Sequence, residues 1–484
     1  MPKRSLKKNF AYNVIYQILL ALTPLITTPY LARVLGPASS GIYSYTYSIA
    51  NYFFIFATLG ISTYGVRAVA QCGDDRGLRS RAFCGVYASQ LLVGCMAFLF
   101  YFLYIVFVHE GGIKISLVWV LYVLSAVLDV SWLLFGCEEF RVPTMRSIAT
   151  KLMMVATILL FVHSADDLWL YCLATAGSFF LNAALIWPFV RRYVDFARPT
   201  FAEVLGHLRG NAGLFIPVVA VSLYTTLNDV LLGALATTQE VAFYDYSYKI
   251  SRILLHVVTA LGTVMLPRMA ALLKGGERER GLAVLDTSIW AMFSVSFALM
   301  FGIIAVAPEF TPVFFGDGYE SCVLLMSLLG ALIPVVTVTN VIGRQYLLPL
   351  GRDADYTKSI LCGAAANVLL ALLLVPFLGS LGATIGTMAA DIAILIYQAF
   401  NVRKELPLKG YLKTALPFAV IGLIMLVVVR AASAVCPFHG FALLMVEVGS
   451  GVVTYAALSL VWCLVTKDEQ FIRLFGRYIP GLKR

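Results

Sequence analysis

The stretch YDYSYKISRILLHVVTALGTVMLP, residues 244–267, places polar side chains at steps of three and four within an apolar run. These side chains are Asp245, Lys249, Arg252, His256, Thr259 and Thr263. On an α-helix this spacing puts all of them on one face. Because an ionised group near the centre of a bilayer costs roughly 2.5–3.5 kcal/mol, we expect this face to meet water or a protein partner.

The composition of the whole chain indicates a membrane protein. The 484 residues are 60% hydrophobic and 13% charged, whereas soluble domains are about 25% charged. The net charge of +10 is spread between apolar runs, so anionic membrane lipids are favoured as partners over nucleic acid. The nine cysteines form no C-x-x-C pair and are predicted to be small hydrophobic residues.

A span of about 20 apolar residues is needed to cross the bilayer, and the chain contains fourteen such runs. We therefore predict an all-α, polytopic membrane protein with fourteen transmembrane helices. Their predicted limits are 10–33, 41–66, 82–108, 115–137, 147–164, 168–190, 211–235, 242–267, 285–308, 321–346, 357–377, 382–402, 413–432 and 440–466.

The distribution of basic residues predicts the orientation. Of the 36 Lys and Arg residues, all but five fall on the side of the predicted helices that holds both ends of the chain. The five exceptions are Arg33, Lys114, Lys249, Arg252 and Arg430. The positive-inside rule then places both termini in the cytoplasm and the protein in the cytoplasmic (inner) membrane.

An internal repeat appears when the chain is shifted by 201 residues. Tyr43, Tyr45, Tyr47 and Ile49 then coincide with Tyr244, Tyr246, Tyr248 and Ile250. The repeat predicts two pseudo-symmetric six-helix lobes, residues 1–205 and 206–405, followed by an appended helix pair, residues 406–484. The tyrosines themselves are more typical of a membrane-interface belt than of a sugar-stacking platform.

The repeat predicts a polar cavity between the lobes, where carriers hold their cargo near the midplane of the membrane. Arg33, Lys249 and Arg252 are the candidate cations for an anionic cargo, because fixed cations offset the desolvation of a phosphate. The other candidate cavity residues are Asn51, Asp245, His256, Asn228 and Asp229.

Two further carboxylates, Asp129 and Asp391, lie alone in apolar surroundings and are candidates for ion coupling. Each polar candidate also has a purely structural interpretation. Asp245 is spaced to form an ion pair with Lys249, and His256, Asp129 and Asp391 could each form contacts within or between helices. Arg430 and Glu447 are predicted to be a structural pair.

Three segments resemble a known family. They are Thr28–Pro37 (TPYLARVLGP), Gly41–Tyr45 (GIYSY) and Gly60–Arg67 (GISTYGVR). These segments look like the start of the Wzx-type polysaccharide flippases of the multidrug/oligosaccharidyl-lipid/polysaccharide superfamily. Gly379–Gly386 (GSLGATIG) resembles a glycine-alanine signature of the same superfamily, and the last two predicted helices resemble those of peptidoglycan lipid II flippases.

The resemblance implies two helical bundles that open alternately to each side of the membrane. The implied cargo is an oligosaccharide on a polyprenyl diphosphate, moved from the inner to the outer leaflet for O-antigen or another surface polysaccharide. Partner polysaccharide polymerases are implied as well. The energy source, such as H⁺ or Na⁺, is left open by the sequence.

Enzymatic alternatives are disfavoured by missing motifs. The sequence has no G-x-x-x-x-G-K-[ST] loop and no H-E-x-x-H motif, so no catalytic residue, cofactor or metal site is predicted. A membrane glycan polymerase would need a larger outer loop than Glu309 to Glu320. The remaining alternatives are a multidrug/cation antiporter of the same superfamily, which should concentrate carboxylates, and a lipid II flippase.

Overall fold

The computed structural model describes residues 6–58, 60–107, 112–274 and 277–475, with only the backbone described for residues 6–22 and for parts of 212–225 and 261–274. Within these residues the regular secondary structure is entirely helical. The chain divides into two compact units, Met1–Ala242 and Phe243–Arg484. The predicted division at residues 205 and 405 stays a prediction.

Among the residues that the structure describes, the first unit holds ten α-helices, one short 3-10 helix and the start of an eleventh α-helix. Their bounds are α1 Leu6–Thr58, α2 Ile61–Gln71, α3 Arg76–Phe107, α4 Ile113–Leu128, α5 Ser131–Gly136, α6 Arg141–Phe161, α7 Leu168–Ala184, α8 Trp187–Val190, α9 Phe201–Thr225 and α10 Leu227–Leu235, with α11 Thr238–Lys274 crossing into the second unit.

Within the described residues, the second unit continues with eight further α-helices and one π-helix. Their bounds are α12 Arg278–Phe314, α13 Ser321–Ala331, α14 Ile333–Asn340, the π-helix Val341–Leu347, α15 Asp353–Leu378, α16 Ser380–Val402, α17 Leu408–Val435, α18 Phe441–Thr466 and α19 Glu469–Phe475. The π-helix follows directly from α14, so residues 333–347 form one continuous helical segment with a change in winding.

Apolar side chains cover much of the outer surface of these helices. Phe377 on α15 is 81% exposed and Val465 on α18 is 77% exposed. Such a surface is stable only in lipid, because a soluble protein rarely exposes large contiguous apolar patches. The chain is therefore an all-α, multi-pass membrane protein.

Eleven helical segments of the described residues are long and apolar enough to cross a membrane. One of them, Thr23–Gln71, takes in both of the first two predicted spans. The seventh and eighth predicted spans correspond to α9–α10 and α11, which contain side chains outside the described set. The eleven segments thus account for the other twelve predicted spans.

The first two predicted spans follow one another with no loop between them. The range Leu6–Thr58 holds two helices that meet at Gly36, whose φ of 70° and ψ of 174° are not helical. A side chain rarely adopts this φ, which explains the glycine. The predicted boundary at residues 33–41 is therefore a kink, followed by Pro37, which fits because proline restricts the preceding backbone.

Two of the predicted spans contain a break in the helix. The second predicted span, 41–66, is broken at Gly60, which has φ 75° and separates α1 from α2. The fourth predicted span, 115–137, is broken after α4 at Asp129, whose backbone is extended, and the apolar segment Ile113–Gly136 closely matches its predicted limits. Local backbone geometry thus breaks the helix inside an apolar run, which hydropathy alone does not show.

The same tyrosine pair recurs in both units. Tyr43 and Tyr47 stack with their ring centroids 5.9 Å apart, and Tyr244 and Tyr248 stack at 5.6 Å. Each pair is four residues apart on a helix, and the two pairs are separated by the repeat offset found in the sequence. The tyrosines at these positions are packed inside their units, with Tyr43 8% and Tyr244 1% exposed, so the predicted interface belt is wrong for these two.

Candidate substrate-binding face

Helix α11 and the π-helix bring four basic side chains together in the second unit. Lys249, Arg252 and His256 follow one another at helical spacing on α11, and both Arg252 and Arg344 act electrostatically on His256. Arg344 comes from the π-helix. We call Lys249, Arg252, His256 and Arg344 the basic cluster. His256 and Arg344 are exposed, whereas Lys249 and Arg252 are partly buried.

Lys249 forms the ion pair that its spacing predicts. Its Nζ lies 2.6 Å from Oδ2 of Asp245, one helical turn away. The Asp245 side chain is only 10% exposed, so its carboxylate stays close to the lysine. Asp245 therefore offsets the charge of Lys249, and the two arginines are the other permanent positive charges of the basic cluster.

The guanidinium of Arg252 lies over an aromatic ring. Its Cζ is 4.7 Å from the ring centroid of Tyr248, within the range of a cation–π interaction. A guanidinium that lies over a ring is a planar group with several N–H donors, and a phosphate or carboxylate can accept two of them.

Asp391 from α16 lies close enough to interact electrostatically with Arg252. Its side chain is buried, with 5% exposed. Helix α16 is fixed against α11 by a hydrogen bond of 2.8 Å between the hydroxyls of Tyr244 and Thr387, one turn before Asp391. The structure thus brings together Arg252, a predicted cargo ligand, and Asp391, a predicted coupling residue.

Two of the predicted cavity residues in the first unit, Asp229 and Asn51, accept hydrogen bonds from side chains on neighbouring helices. Ser48 on α1 donates a hydrogen bond of 2.9 Å to Oδ2 of Asp229 on α10. Tyr122 on α4 donates one of 2.9 Å to Oδ1 of Asn51. Asn228 is fully buried. Each of these contacts joins two helices of the same unit, and the assignment of these residues to a cavity stays a prediction.

The chain matches a family model described as "Polysaccharide biosynthesis protein" over residues 6–273, more than half of its length. It belongs to this family. The sequence resemblance to polysaccharide exporters of the superfamily is therefore confirmed.

Two curated relatives of this family member carry the name "Putative O-antigen transporter". The one from Escherichia coli (strain K12) is 22% identical over 412 residues, covering 83% of this chain and 98% of the relative. The one from Shigella dysenteriae is 19% identical over 385 residues, covering 79% and 96%. The match extends over nearly the whole of both relatives.

Solved structures show the same fold. The lipid II flippase MurJ in an inward-closed conformation has a TM-score of 0.78 at 14% identity and covers 94% of this chain and all of its own. An inward-facing multidrug resistance MATE transporter of the MOP superfamily has a TM-score of 0.63 at 14% identity and covers 81% and 96%. At these identities the likeness shows the fold alone, which is the transporter fold predicted from the sequence.

Two other predicted site residues, Arg33 and Asp129, belong to the first unit. Arg33 on α1 has an exposed side chain, and its role as a cargo ligand stays a prediction. Asp129 ends α4, where its carboxylate accepts hydrogen bonds from the backbone N–H of Ser131, at 3.0 Å, and from the Ser131 hydroxyl. These contacts favour the structural interpretation of Asp129, and ion coupling there stays untested.

Arg344 is the functional candidate that sequence reasoning missed. It falls at the end of the tenth predicted span, 321–346, where a basic residue is typical of an anchor at the membrane surface. The π-helix Val341–Leu347 changes the winding at this point, and Arg344 lies within electrostatic range of His256. The sequence feature that could have pointed to Arg344 is Asn340-Val-Ile-Gly-Arg344, in which a glycine stands beside a charged residue within an apolar span. The structure forms a π-helix there, and π-helical turns occur frequently at functional sites.

Proposed function

We propose that this family member is a flippase that moves a polyprenyl-diphosphate-linked oligosaccharide from the inner to the outer leaflet of the cytoplasmic membrane. The protein acts as a carrier in this proposal, with no covalent step. The two units alternate access to the two sides, and the product is used for cell-surface polysaccharide such as O-antigen. Polysaccharide polymerases are the expected downstream partners.

The observation that carries this proposal is the basic cluster on α11, at the eighth predicted span, and on the π-helix. A diphosphate must leave the hydrated headgroup region to cross, and its negative charge needs replacement partners. Arginine binds phosphate oxygens in pairs through its planar fork. Arg252, stacked on Tyr248, and Arg344, which shares His256 as a neighbour, supply two such forks in one unit.

The comparisons support the class of cargo. Both curated relatives carry names that refer to O-antigen transport, and the structure of MurJ, named as a lipid II flippase, has the same fold. Lipid II flipping by the present chain is the related alternative, since it needs the same kind of anion site. The tyrosine pair repeated at the same helix positions supports two similar halves, as alternating access requires.

The multidrug/cation antiporter remains the second candidate, because a MATE transporter shares the fold and two carboxylates lie beside the cluster. The balance of charge favours an anion. Asp245 is paired with Lys249 and Asp391 faces Arg252, while Arg344 adds a further positive charge. A site for cationic drugs would need the opposite excess.

The test is a flipping assay in proteoliposomes with a fluorescent polyprenyl-diphosphate oligosaccharide. Arg252→Ala should lower the flipping rate roughly 10- to 100-fold, because a charge-assisted hydrogen bond contributes about 1.5–3 kcal/mol. Arg252→Lys should retain part of the rate if charge alone matters. Arg280→Ala removes the same charge from a side chain that is 79% exposed on α12 and should flip at the wild-type rate.

Two results would count against the proposal. Wild-type flipping by Arg252→Ala would remove the basic cluster as the cargo site. Export of a cationic dye by the wild-type protein, without any flipping of the lipid-linked oligosaccharide, would favour the antiporter.

A further inference from the structure

A second charged group lies away from the basic cluster, where three helices of the second unit meet. It consists of Glu309 on α12, Arg430 and Ser433 on α17, and Glu447 on α18. We call these four residues the Glu447 cluster. The sequence predicted only the pair of Arg430 and Glu447, and Glu309 adds a second carboxylate to it.

Arg430 is bound more closely to Glu309 than to Glu447. Its Nη1 donates a hydrogen bond of 2.7 Å to Oε2 of Glu309 and one of 3.2 Å to the carbonyl oxygen of Ala305. The same nitrogen lies 3.7 Å from Oε1 of Glu447, which is too long for a hydrogen bond. The arginine is thus held against α12, and Glu447 is its more distant neighbour.

Glu447 is the most enclosed member of the group. Its side chain is 0% exposed, compared with 20% for Glu309 and 43% for Arg430. Among the residues that the structure describes, neither carboxyl oxygen of Glu447 has a hydrogen bond of ordinary geometry, and its neighbouring polar side chains besides Arg430 are Ser433 and Glu309. An ionised carboxylate in that position would have fewer donors than normally compensate for burial.

The charges of the cluster do not balance if both acids are ionised. One guanidinium faces two carboxylates, and Glu309 is close enough to Glu447 for two negative charges to repel. Two carboxylates that share a site cannot both ionise easily, so one of them retains a proton. The fully buried carboxyl group of Glu447, which Arg430 does not reach at hydrogen-bonding distance, is the one that favours its neutral form.

We propose that Glu447 is a proton-binding site, protonated while Arg430 is paired with Glu309. Its proton bonds to a Glu447 carboxyl oxygen and, on release, passes to water by way of the partly exposed Glu309. Movement of Arg430 from Glu309 toward Glu447 would favour release, since the guanidinium would then stabilise the Glu447 carboxylate. The Arg430 guanidinium on α17 thus interacts with a carboxyl group on α12 and with another on α18.

A proton fits this site better than a metal ion. A sodium or divalent ion beside Glu447 would lie next to the Arg430 guanidinium and would be repelled by it. Glu309, the nearest second carboxylate, is already engaged by Arg430. A proton removes the negative charge without requiring several oxygen ligands.

The test is infrared difference spectroscopy of the full-length protein in lipid. At neutral pH the wild type should show a carbonyl band from a protonated carboxyl group, and Glu447→Gln should lose that band. Glutamine has nearly the same shape as the protonated acid, so this variant should fold. Glu320→Gln, which changes an exposed carboxylate on the same unit, should keep the band.

A second variant tests the role of the arginine. Arg430→Gln removes the one positive charge, so the band should persist to higher pH than in the wild type. The proposal is overturned if the wild type has no band that Glu447→Gln removes, or if added sodium abolishes the band at constant pH. These measurements do not depend on flipping, so they stand or fall separately from the proposed function.

Discussion

The close approach of α15 and α16 gives the sharpest prediction about stability. These helices meet at the glycine-alanine segment Gly379–Gly386. A Cβ built on Gly382 would lie 2.6 Å from the backbone carbon of Leu374 and 2.7 Å from its oxygen. Ordinary contact begins at 3.4 Å, so the two helices would have to separate by about 0.8 Å. Backbone atoms cannot turn aside as the end of a flexible side chain can.

Gly382→Ala should therefore destabilise the protein despite the better helix propensity of alanine. Overpacking of this kind costs about 1–3 kcal/mol, and a shift of roughly 2–4 °C per kcal/mol in a unit of this size gives a fall of about 2–12 °C in thermal midpoint. Because Thr387 and Asp391 lie on the same helix, the separation should also disturb the Tyr244–Thr387 hydrogen bond and slow flipping.

Gly302→Ala is the matched control. Gly302 also lies in a helix of the second unit, and a Cβ there would meet nothing within 4 Å. Replacing it should raise the thermal midpoint slightly, since alanine is better than glycine in a helix by about 0.8–1.0 kcal/mol. The assay is a thermal melt of both variants in the same detergent. A Gly382→Ala variant that melts at or above the wild type would refute the reasoning.

Two further predictions concern single carboxylates. Asp391→Asn should change the dependence of flipping on pH or sodium, because Asp391 interacts electrostatically with Arg252. Asp129→Asn should leave that dependence unchanged, because Asp129 caps a helix break. If the dependence is unchanged in Asp391→Asn, Asp391 is not a coupling residue. The backbone N–H of Thr200, and to a smaller extent its hydroxyl, donate hydrogen bonds to the Glu203 carboxylate and hold the pKa of Glu203 below its usual 4.5. The stabilisation that Glu203 provides is therefore present above pH 4.5 and is lost as the pH falls through the lowered pKa. Comparison of thermal midpoints for wild type and Glu203→Gln from pH 7 downward checks this, and a difference that grows toward acid would contradict it.

Helix periodicity was sufficient for the face of α11. The predicted spacing of Asp245, Lys249, Arg252 and His256 on one face follows from 3.6 residues per turn, and the ion pair of Asp245 with Lys249 is confirmed. These features are local, because each partner lies within one or two turns. The membrane setting is also a property of composition, which does not depend on how the chain folds.

Features that depend on backbone irregularity or distant partners were not predictable in the same way. The direct junction of two helices at Gly36 and the π-helix that carries Arg344 both depend on local backbone geometry that hydropathy does not encode. The contact of Arg430 with Glu309 spans 121 residues. The sequence shows which residues are charged, but the packing of three helices determines whether Arg430 pairs with Glu309 or with Glu447.

The two copies of the repeat differ at the positions that carry the basic cluster. The stacked tyrosines are kept at both copies, but the residues that follow them differ. Asp245, Lys249 and Arg252 of the second copy stand where the first has Ser44, Ser48 and Asn51. Ser48 and Asn51 instead join helices within their unit, through Asp229 and Tyr122. The tyrosine pair is thus part of the shared framework, while the charges are confined to the copy on α11. Exchange of Asn51 for arginine should therefore disrupt packing in the first unit rather than create a second anion site.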